Sequence, residues 1–567
     1  MANENGWGDG ASNNNIGWGK GAVNNNINWG ASHFTSLAGL TDITGQGGGS
    51  SFDPDAEAYF TAAGITDTTE KDAVNQLVLD LKGEGSTTNN SDVWSSSIGI
   101  YPVSPTSLTA STFNLKNLAK NITWFNSPTH SSLGITGNGI DMYGDAGINI
   151  LNDIGSNNFG LYVEVDSQNT SSQSEIGANK SSSPYDGGLI LPFYAGGARD
   201  ASAVGEFVFG GNAQVDRTGL LGVQYNTTLG VTERNRNGIK YSSTATPIGI
   251  AQNLNIFLMC RNFGGSGALF TNKTHSFYGI TNGDLIENQI FDLSISIYKY
   301  RYFTLKGIAN VEIEAVEYAM NAQIKDVSEL VAINNLVKDL KGTGSTTNNT
   351  DVWSSLDDIA PISPTSLAAA AYKLKYVNTQ QITWANSPTH SSSGVAFNGS
   401  TQYGDFNYIP STAGASLTSA SITLSVNGSG SSTEVIYGVI QATTQREAYF
   451  FTAASSTVCH LYQTGTTTGV SYTTIDRQGV FITSRRAIDD IEGYEDGVSQ
   501  NTGTGTASAG TLPSASSFIA ANNDGTGTAA NHANTTINFV ARGSGLTDNQ
   551  AQDLYDAIST YNTALSR

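Results

Sequence analysis

Charged residues are scarce in this chain of 567 residues, and basic residues more so than acidic ones. Only 13% of the residues are charged, and 27 Lys and Arg face 48 Asp and Glu, which gives a formal net charge of −21. A surface that binds phosphate groups needs clustered Lys and Arg, and the sequence has no dense basic run. We therefore expect neither a nucleic-acid partner nor a membrane partner.

The sequence has only two cysteines, Cys260 and Cys459, and no long apolar segment. Two cysteines cannot form a disulfide framework, so we expect buried thiols and synthesis in a reducing compartment. No uninterrupted apolar run reaches the roughly 18 residues of a transmembrane helix candidate. No basic-then-apolar leader stands at the start, so neither a spanning helix nor an export signal is expected.

Metal and cofactor motifs are missing as well. The six histidines form neither HExxH nor HxxxH, and no GxxxxGK[ST] occurs. The stretch "NNDGTGTAAN" from Asn522 carries oxygen ligands but lacks the bidentate Glu of a calcium loop, so it is expected to be a turn. We predict no cofactor and no metal site, and a structural calcium ion has no support in the sequence.

A duplication dominates what the sequence does contain. "LKGEGSTTNNSDVWSS" at 81–96 returns as "LKGTGSTTNNTDVWSS" at 340–355. "ITWFNSPTHSS" at 122–132 returns as "ITWANSPTHSS" at 382–392. A long internal repeat indicates copies of one structural unit, so the chain is predicted to carry the same domain twice.

Three parts follow from this duplication. We predict an arm at 1–50, a first copy at 51–309 and a second copy at 310–567. Trp94 and Trp124 of the first copy match Trp353 and Trp384 of the second. Large aromatic rings that recur inside a repeat are expected to pack in its core.

Each copy is predicted to begin and end with helices. In the first copy Asp67 is a candidate N-cap, and Gly83 ends an apolar stripe of helical spacing. The second copy repeats the stripe, and Thr547 is the expected cap of its closing helix. The two stripes are Ala73, Val74, Leu77, Val78 and Leu81, and Ala332, Ile333, Leu336, Val337 and Leu340.

The rest of each copy has the pattern of strands. "FGLYVEVDS" and "SITLSVNGS" alternate apolar and polar residues. The dipeptides Asn237-Gly238 and Asp496-Gly497 favour two-residue hairpin turns. We predict a mainly β protein with two tandem antiparallel β-sandwich domains, each framed by short helices. An extended arm rich in Gly, Asn and Trp precedes them.

Candidate catalytic acids are few. A retaining glycosidase needs two carboxylates close together across a cleft, and "VEVDSQN" offers Glu164 and Asp166 on one strand. The third position of a Glu-x-Asp-x-x-Glu pattern is Asn169, and the second copy has neither acid. We predict that the protein is not an enzyme and that both acids lie on the solvent face of their strand.

The repeated motif "NSPTHSS" holds the candidate glycan contacts. These are Asn126 and His130 in the first copy and Asn386 and His390 in the second. The alternative is a structural role, because Asn, Ser and Pro are ordinary turn formers. Ser and His stand together, but no orienting acid or oxyanion hole of a catalytic triad can be assigned.

The arm carries large apolar residues at a fixed spacing. Three tryptophans and two isoleucines recur with a period of 11 among glycines and asparagines. Glycines cost about 1 kcal/mol each inside a helix, so an extended or tightly turned segment is expected. We predict that it binds a partner through Trp7, Ile16, Trp18, Ile27 and Trp29.

The repeated motifs also resemble a known module. "AAGITDTTEKDAVNQLVLDLKGEG", "ITWFNSPTHSSLGITGNGIDMYGD" and the closing "LTDNQAQDLYDAISTYNTALSR" are similar to a recurrent virion-protein module of phages that infect Bacteroidota, including crAss-like phages. The resemblance covers nearly all of residues 50–567. It implies tandem laminin-G/concanavalin-A-like jelly-roll sandwiches and carries no catalytic residues.

This resemblance sets the functional expectation. It implies a phage virion structural protein: a head fibre, tail fibre or decoration protein, made in the bacterial cytoplasm and placed on the virion surface. The arm at 1–50 would bind capsid or tail proteins, and the lectin-like sandwiches would adhere to host-surface or mucus glycans. A homo-dimer or homo-trimer is expected. The alternative is a glycoside hydrolase or lyase of a tail spike.

Overall fold

A computed structural model describes residues 52–567 of the chain except for fifteen short gaps. The arm, with its candidate contacts Trp7, Ile16, Trp18, Ile27 and Trp29, lies outside the described residues, and residues 55–567 form one compact unit. The gaps are 156–158, 167–172, 182–186, 192–200, 205–217, 227–230, 244–251, 376, 378–380, 430–432, 443–444, 453–455, 463–469, 474–476 and 504–510.

The predicted helices form where their caps and apolar stripes place them. The Asp67 carboxylate accepts from the Glu70 N–H at 2.8 Å, and Gly83 ends its helix at φ +74°. Thr547 caps the closing helix, and every residue of the two predicted stripes is buried. The α-helices of the described residues are α1 (Pro54–Ala63), α2 (Thr68–Lys82), α3 (Glu287–Tyr302), α4 (Ile313–Ala322), α5 (Val327–Leu340) and α6 (Asp548–Ala564).

Short helical turns join these elements. They are 3-10 turns at Ala110–Thr112, Thr304–Lys306, Trp353–Ser355 and Ala369–Ala371, and a π-helical turn at Ile150–Ile154.

The first copy contains two sheets. Sheet A1 has the strand order β12-β11-β10-β6-β16-β4-β3, with β1 also on β16, and sheet B1 has the order β15-β14-β7-β13-β5-β2, with β8 and β9 beyond β7. The strands are β1 (Ser97–Pro102), β2 (Thr123–Phe125), β3 (Thr129–Ser131), β4 (Gly134–Thr136), β5 (Tyr143–Asn149), β6 (Gly160–Val165), β7 (Ile176–Asn179), β8 (Gly187–Leu191), β9 (Ala201–Val204), β10 (Gly219–Asn226), β11 (Val231–Arg236), β12 (Ile239–Ser243), β13 (Asn255–Leu258), β14 (Arg261–Phe263), β15 (Ser266–Ala268) and β16 (Thr274–Thr281).

The second copy repeats the arrangement. Sheet A2 has the order β19-β20-β33-β22-β27-β28-β29, with β17 on β33, and sheet B2 has the order β18-β21-β30-β23-β24-β25-β26, with β31 and β32 beside β23. The strands are β17 (Leu356–Pro361), β18 (Thr383–Ala385), β19 (Thr389–Ser391), β20 (Gly394–Ala396), β21 (Tyr403–Asp405), β22 (Ala420–Ser429), β23 (Glu434–Ala442), β24 (Gln445–Thr452), β25 (Ser456–Leu461), β26 (Val470–Thr473), β27 (Gly479–Arg485), β28 (Ile491–Glu495), β29 (Val498–Gly503), β30 (Phe518–Ile519), β31 (Asn522–Asn523), β32 (Ala529–Ala530) and β33 (Thr535–Gly543).

This strand order confirms the predicted fold class. The protein is mainly β, and its strands pair antiparallel except for β14 with β7 and β23 with β31 among the described ladders. Each described sheet takes its strands from one copy only. The boundary between residues 309 and 310 stays a prediction, because both copies belong to the same compact unit.

The predicted hairpin turns are confirmed. Asn237 and Gly238 have φ +47° and +81° between β11 and β12, and Asp496 and Gly497 have φ +50° and +79° between β28 and β29. Both central residues of a type I′ turn need positive φ, which Asn, Asp and Gly tolerate. The turns therefore fix the register of matching hairpins in the two copies.

A carboxylate from each closing helix holds the repeated "STTNN" loop. Asp292 on α3 accepts from the backbone N–H groups of Asn89 and Ser91, at 3.0 and 2.8 Å. Asp553 on α6 accepts from those of Asn348 and Thr350, both at 2.7 Å. The repeated motif thus joins the first and last parts of each copy.

The four tryptophans of the copies pack on their domains as predicted. Trp94 is 9% exposed, and the ammonium groups of Lys82 and Lys116 lie over its ring. The other three, Trp124, Trp353 and Trp384, are partly buried against the hydrophobic clusters of their copies. Both cysteines are buried free thiols, and burial raises the pKa of Cys459 to about 12.

Helices cover one face of each A sheet. In the second copy Phe539 and Ala541 of β33 pack with α6, while Val540 between them faces the space between the sheets. In the first copy α3 reaches sheet A1 through Arg301, which pairs with Asp166 at 3.1 Å. Each copy is therefore built from three layers, in the order helices, A sheet and B sheet.

Candidate glycan-binding site

The two sheets of the first copy differ in their access to solvent. Every residue of β6 in sheet A1 is buried, because helices cover its outer face. Strand β5 in sheet B1 alternates between partly buried and buried residues. Gly144 and Ala146 face the core, so Tyr143 and Asp145 face outward. The open face of this sandwich is therefore the outer face of sheet B1.

A row of aromatic rings crosses this open face. The rings of Phe125 and Tyr143 stack with centroids 4.5 Å apart and an interplanar angle of 6°. Phe257 lies 4.8 Å from Tyr143 on its other side, and Phe270 lies 6.0 Å from it. Aromatic pairs of this kind stabilise their arrangement by about 0.5–1.5 kcal/mol beyond the area they bury. We call these four residues the aromatic row.

The edge of the sheet leaves one ring of the row accessible. Phe125 ends β2, which is the last strand of sheet B1, and pairs directly with Tyr143 on β5. Its side chain is 38% exposed, and in the part of the chain that the structure describes no strand lies beyond the ring face that points away from Tyr143. A flat exposed ring face is suited to stacking against the apolar face of a sugar ring.

The strand geometry explains why Phe125 points outward. Its neighbour Trp124 turns inward and packs against the core cluster of the first copy. Gly144 lies opposite Trp124, and a Cβ at this glycine would lie 2.6 Å from the indole ring. The absence of a side chain at Gly144 therefore lets Trp124 settle inside and Phe125 stand outside.

Polar groups flank the row. The Asn255 amide donates to both carboxylate oxygens of Asp145, at 3.1 and 3.0 Å. The Asn149 amide donates to Asn255 Oδ1 at 3.1 Å. Burial, together with nearby Cys260 and Asp145, raises the pKa of Tyr143, so its phenol stays protonated. The face thus offers amide, carboxylate and phenol groups beside the rings.

The second copy carries a shorter version of the row. Tyr403 stacks on Phe518 at 4.6 Å, and His532 stands 6.1 Å from Tyr403. Ala385 occupies the position of Phe125 on the edge strand. The accessible ring is therefore particular to the first copy.

The structure places the predicted Asn126 and Asn386 at turns. Asn126 has φ +58° and donates to the Asp141 carbonyl at 2.8 Å, and Asn386 has φ +58° and donates to the Thr401 carbonyl at 2.7 Å. Both side chains are exposed. Asn126 directly follows Phe125, so it lies at the edge of the aromatic row. Its role as a glycan contact stays a prediction.

The predicted histidines make backbone contacts. Nε2 of His130 lies 2.8 Å from the Ser104 carbonyl, and Nε2 of His390 lies 2.8 Å from the Ser363 carbonyl. Each histidine ties a short strand to the segment that follows the first strand of its copy. This structural contact explains why the residue recurs, and a glycan contact by either histidine stays a prediction.

The prediction that Glu164 and Asp166 lie on the solvent face of their strand is wrong. Glu164 is only 3% exposed, and burial raises its pKa to about 8. The Asp166 carboxylate pairs with Arg301 at 3.1 Å and accepts from the Tyr302 hydroxyl at 2.7 Å. The helices, which the strand pattern could not reveal, cover this face. Asn169 lies outside the described residues.

The glycine-rich stretch from Asn522 is a turn, as expected. The Asp524 carboxylate accepts from the N–H groups of Thr526 and Thr528, at 2.8 and 3.2 Å, and hydrogen bonds from this loop lower its pKa. Among the described residues no group of three His, Cys, Asp or Glu side chains could hold a metal ion. No helix in the same part of the chain is long and apolar enough to cross a membrane.

Sequence reasoning missed most of the aromatic row. The available signal was the repeated Tyr-Gly-Asp at Tyr143 and Tyr403, just after an Asn-Gly turn. Phe257 and Phe270 gave no signal, because they lie far from Tyr143 in sequence and reach it only through the strand order of sheet B1.

Comparisons with known proteins give no family for the chain. No protein-family model matches it, and no curated protein does either. Domain 4 of AbnA, a GH43 extracellular arabinanase from Geobacillus stearothermophilus in complex with arabinotriose, matches 34% of this chain and 86% of that one, with 18% identity and a TM-score of 0.23. Ruminococcus gnavus IT-sialidase CBM40 matches 24% and 82%, with 10% identity and a TM-score of 0.21.

A third solved structure matches a larger share of the chain, also with a low TM-score. A mutant of Trypanosoma rangeli sialidase displaying trans-sialidase activity matches 58% of this chain, with 12% identity and a TM-score of 0.31. The chain spans about half of that sialidase, 48% of its length. All three TM-scores lie below 0.5, so neither a family nor an activity follows from these likenesses.

Proposed function

We propose that this protein is a non-catalytic glycan-binding protein of the phage virion surface. The observation that carries the binding proposal is the aromatic row, whose outermost ring, Phe125, is exposed at the edge of the open sheet. Glycan sites combine a few aromatic rings with fixed polar groups. Asp145, Asn149 and Asn255 supply such groups on the same face.

The site we propose is small and shallow. One sugar ring stacks on Phe125, and neighbouring rings of the same chain reach the polar groups beside Tyr143. A single contact of this size binds weakly, so several copies on one particle would be needed for firm adhesion. This need agrees with the expected homo-dimer or homo-trimer and with an appendage that presents many sites.

The virion placement rests on the resemblance of the repeated motifs to a phage module. In this proposal the arm at 1–50 binds capsid or tail proteins, and the two copies project outward. Mass spectrometry of purified particles should detect the protein. Deletion of residues 1–30 should abolish its incorporation while both sandwiches stay folded, and normal incorporation of the deleted form would overturn the anchoring role.

Glycan binding is tested by array and affinity measurements on the full chain. We expect retention on host-surface or mucus polysaccharides, and Phe125→Ala should weaken it about tenfold, since loss of one stacking contact is worth about 1–1.5 kcal/mol. Val498→Ala is a matched control, because Val498 is an exposed apolar residue of the second copy, outside the row.

Two outcomes would contradict this proposal. Equal weakening by both variants would show that exposed apolar surface in general, and not the row, causes retention. Release of reducing ends from a bound polysaccharide would favour the glycoside hydrolase alternative instead.

A further inference from the structure

A groove of about 330 Å³ lies between the two copies. Its volume falls within the ~300–1,000 Å³ of small-ligand sites. One wall is the β11–β12 hairpin of the first copy, and the other is formed by the end of α4 and the turn at Ala369–Ala371 in the second copy. Tyr241 lines the groove on the first wall, and Asn321, Gln323 and Tyr372 line it on the second.

The residues at these four groove positions differ from the residues at the matching positions of the other copy. The counterparts lie on the hairpin of the second copy and in the first helix and the following 3-10 turn of the first copy. Gln500 corresponds to Tyr241, Ala62 to Asn321, Gly64 to Gln323 and Phe113 to Tyr372. Each groove residue on the second wall therefore adds a hydrogen-bonding group that its counterpart lacks, and Tyr241 adds a ring.

Two amide oxygens in the groove are held in place by their own amide nitrogens. Gln323 ends α4 at φ +58°, and its Nε2 donates to the Met320 carbonyl at 2.7 Å. Asn321 Nδ2 donates to the Glu317 carbonyl at 2.8 Å. These hydrogen bonds fix the orientation of the two amides, and the oxygens Oε1 and Oδ1 are acceptors for ligand hydroxyls.

We propose that this groove binds one or two neutral sugar rings. Tyr241 and Tyr372 supply ring surface and phenol hydroxyls, and the oxygens of Asn321 and Gln323 accept from sugar hydroxyls. Arg236 is the one charged side chain among the residues that line the groove, and its Nε donates to the Thr218 carbonyl at 3.1 Å. The other lining residues are uncharged, so the groove fits a neutral ligand. This site goes beyond the proposed function, since it does not include the aromatic row.

The test is calorimetry and saturation-transfer NMR of the full chain with neutral hexoses, N-acetylhexosamines and their disaccharides at millimolar concentration. We expect one site per chain that depends on Tyr241 and Gln323. Tyr241→Gln and Gln323→Gly, which install the residues of the other copy, should each weaken binding about fivefold to tenfold. Gln323→Gly should not disturb folding, because glycine readily adopts the positive φ of this position. Tyr372→Phe should weaken binding less, since it keeps the ring.

Controls separate this site from the aromatic row. Gln500→Ala changes the matching hairpin of the second copy, and Phe125→Ala changes the row, so both should leave binding in the groove unchanged. Failure of every sugar to bind would overturn the proposal, as would binding that Phe125→Ala weakens and Tyr241→Gln does not. Binding of nucleosides in place of sugars would overturn it too. The proposals for the groove and for the row can therefore fail separately, since one depends on Tyr241 and the other on Phe125.

Discussion

The two copies have matching strand orders but bury different polar groups between their sheets. In the second copy Arg542 on β33 pairs with Glu447 on β24 at 3.0 Å, and both are at most 1% exposed. The Tyr462 hydroxyl donates to the same carboxylate at 3.0 Å. In the register of the ladders, Ile280 and Gly188 occupy the positions of Arg542 and Glu447 in the first copy.

On the other face of the A sheets, the first copy and not the second carries the charged groups. Under its helices the first copy buries Glu164 and the Asp166–Arg301 pair. The second copy has Ser425 and Asn562 at the places of Glu164 and Arg301, and the Asn562 amide donates to the Ser425 hydroxyl at 3.1 Å. The same topology thus tolerates charged, polar or apolar groups at these positions.

Breaking the Arg542–Glu447 ion pair of the second copy should lower the free energy of unfolding more than any other change proposed for these copies. Arg542→Met leaves the Glu447 carboxylate buried without its cation, which typically costs about 3–5 kcal/mol of the free energy of unfolding. Ile280→Val at the matching position of the first copy should cost only about 0.5–1.5 kcal/mol. Denaturant unfolding followed by tryptophan fluorescence and circular dichroism measures both.

A double variant sharpens this comparison. Arg542→Met with Glu447→Leu removes both charges and should be clearly more stable than Arg542→Met alone. If the double variant lost as much stability as the single one, the cause would be packing rather than an unpaired charge, and the ionic account of this core would be wrong.

The junction between the copies gives a second comparison. Tyr298, Tyr302 and Phe303 at the end of the first copy share a hydrophobic cluster with Val316 and Met320 of α4. The corresponding positions of α1 and α6 are polar or small. Glu57 and Thr61 of α1 correspond to Val316 and Met320, and Ser559, Thr563 and Ala564 of α6 correspond to Tyr298, Tyr302 and Phe303. The large apolar residues at the junction therefore belong to the contact between the two copies.

Placing the residue of the matching α1 position at the junction should loosen it. Met320 is 1% exposed, so Met320→Thr should cost about 2–3 kcal/mol and expose the segment between α3 and α4 to limited proteolysis. The converse change, Thr61→Met at an exposed position of α1, should leave stability within about 0.5 kcal/mol. Equal effects at the two sites would show that the junction is no better packed than the matching surface of α1.

The sequence predicted the parts of this fold that depend on local pattern. Asp67, Thr547 and the Asn237-Gly238 turn act within a few residues of themselves, so their roles could be inferred directly. The burial of Glu164 could not, because the helix that covers its strand lies more than a hundred residues further along the chain. The aromatic row was missed for the same reason, since Phe257 reaches Tyr143 only through the strand order.

The buried acid of the first copy should make stability depend on pH. Burial raises the pKa of Glu164 to about 8, against 4.5 for the ordinary group, although Lys325, Arg301 and Arg236 lower it and Asp166 raises it. Between these values the folded state holds a proton that the unfolded state releases, so the free energy of unfolding falls as the pH rises. We expect a loss of about 3 kcal/mol from pH 5 to pH 8.

The matched variant isolates this contribution. Glu164→Gln should remove the loss between pH 5 and pH 8, because the amide does not titrate. Ser425→Ala in the second copy should leave the pH dependence unchanged. A pH dependence that persists in Glu164→Gln would assign it to other groups and would place the Glu164 pKa near its ordinary value.

The smallest expected effect comes from a substitution that makes the open faces of the two copies alike. Ala385→Phe gives the second copy the edge ring that Phe125 provides in the first, next to Tyr403 and Phe518. One new stacking contact is worth about 0.5–1.5 kcal/mol, so a chain that already carries Phe125 should gain a second glycan site and bind roughly threefold to tenfold more tightly to a multivalent surface. In the Phe125→Ala background, Ala385→Phe should restore part of the lost retention. Retention that stays absent in this double variant would show that the polar groups of the first copy, Asp145 and Asn255, contribute as much to the site as the ring does.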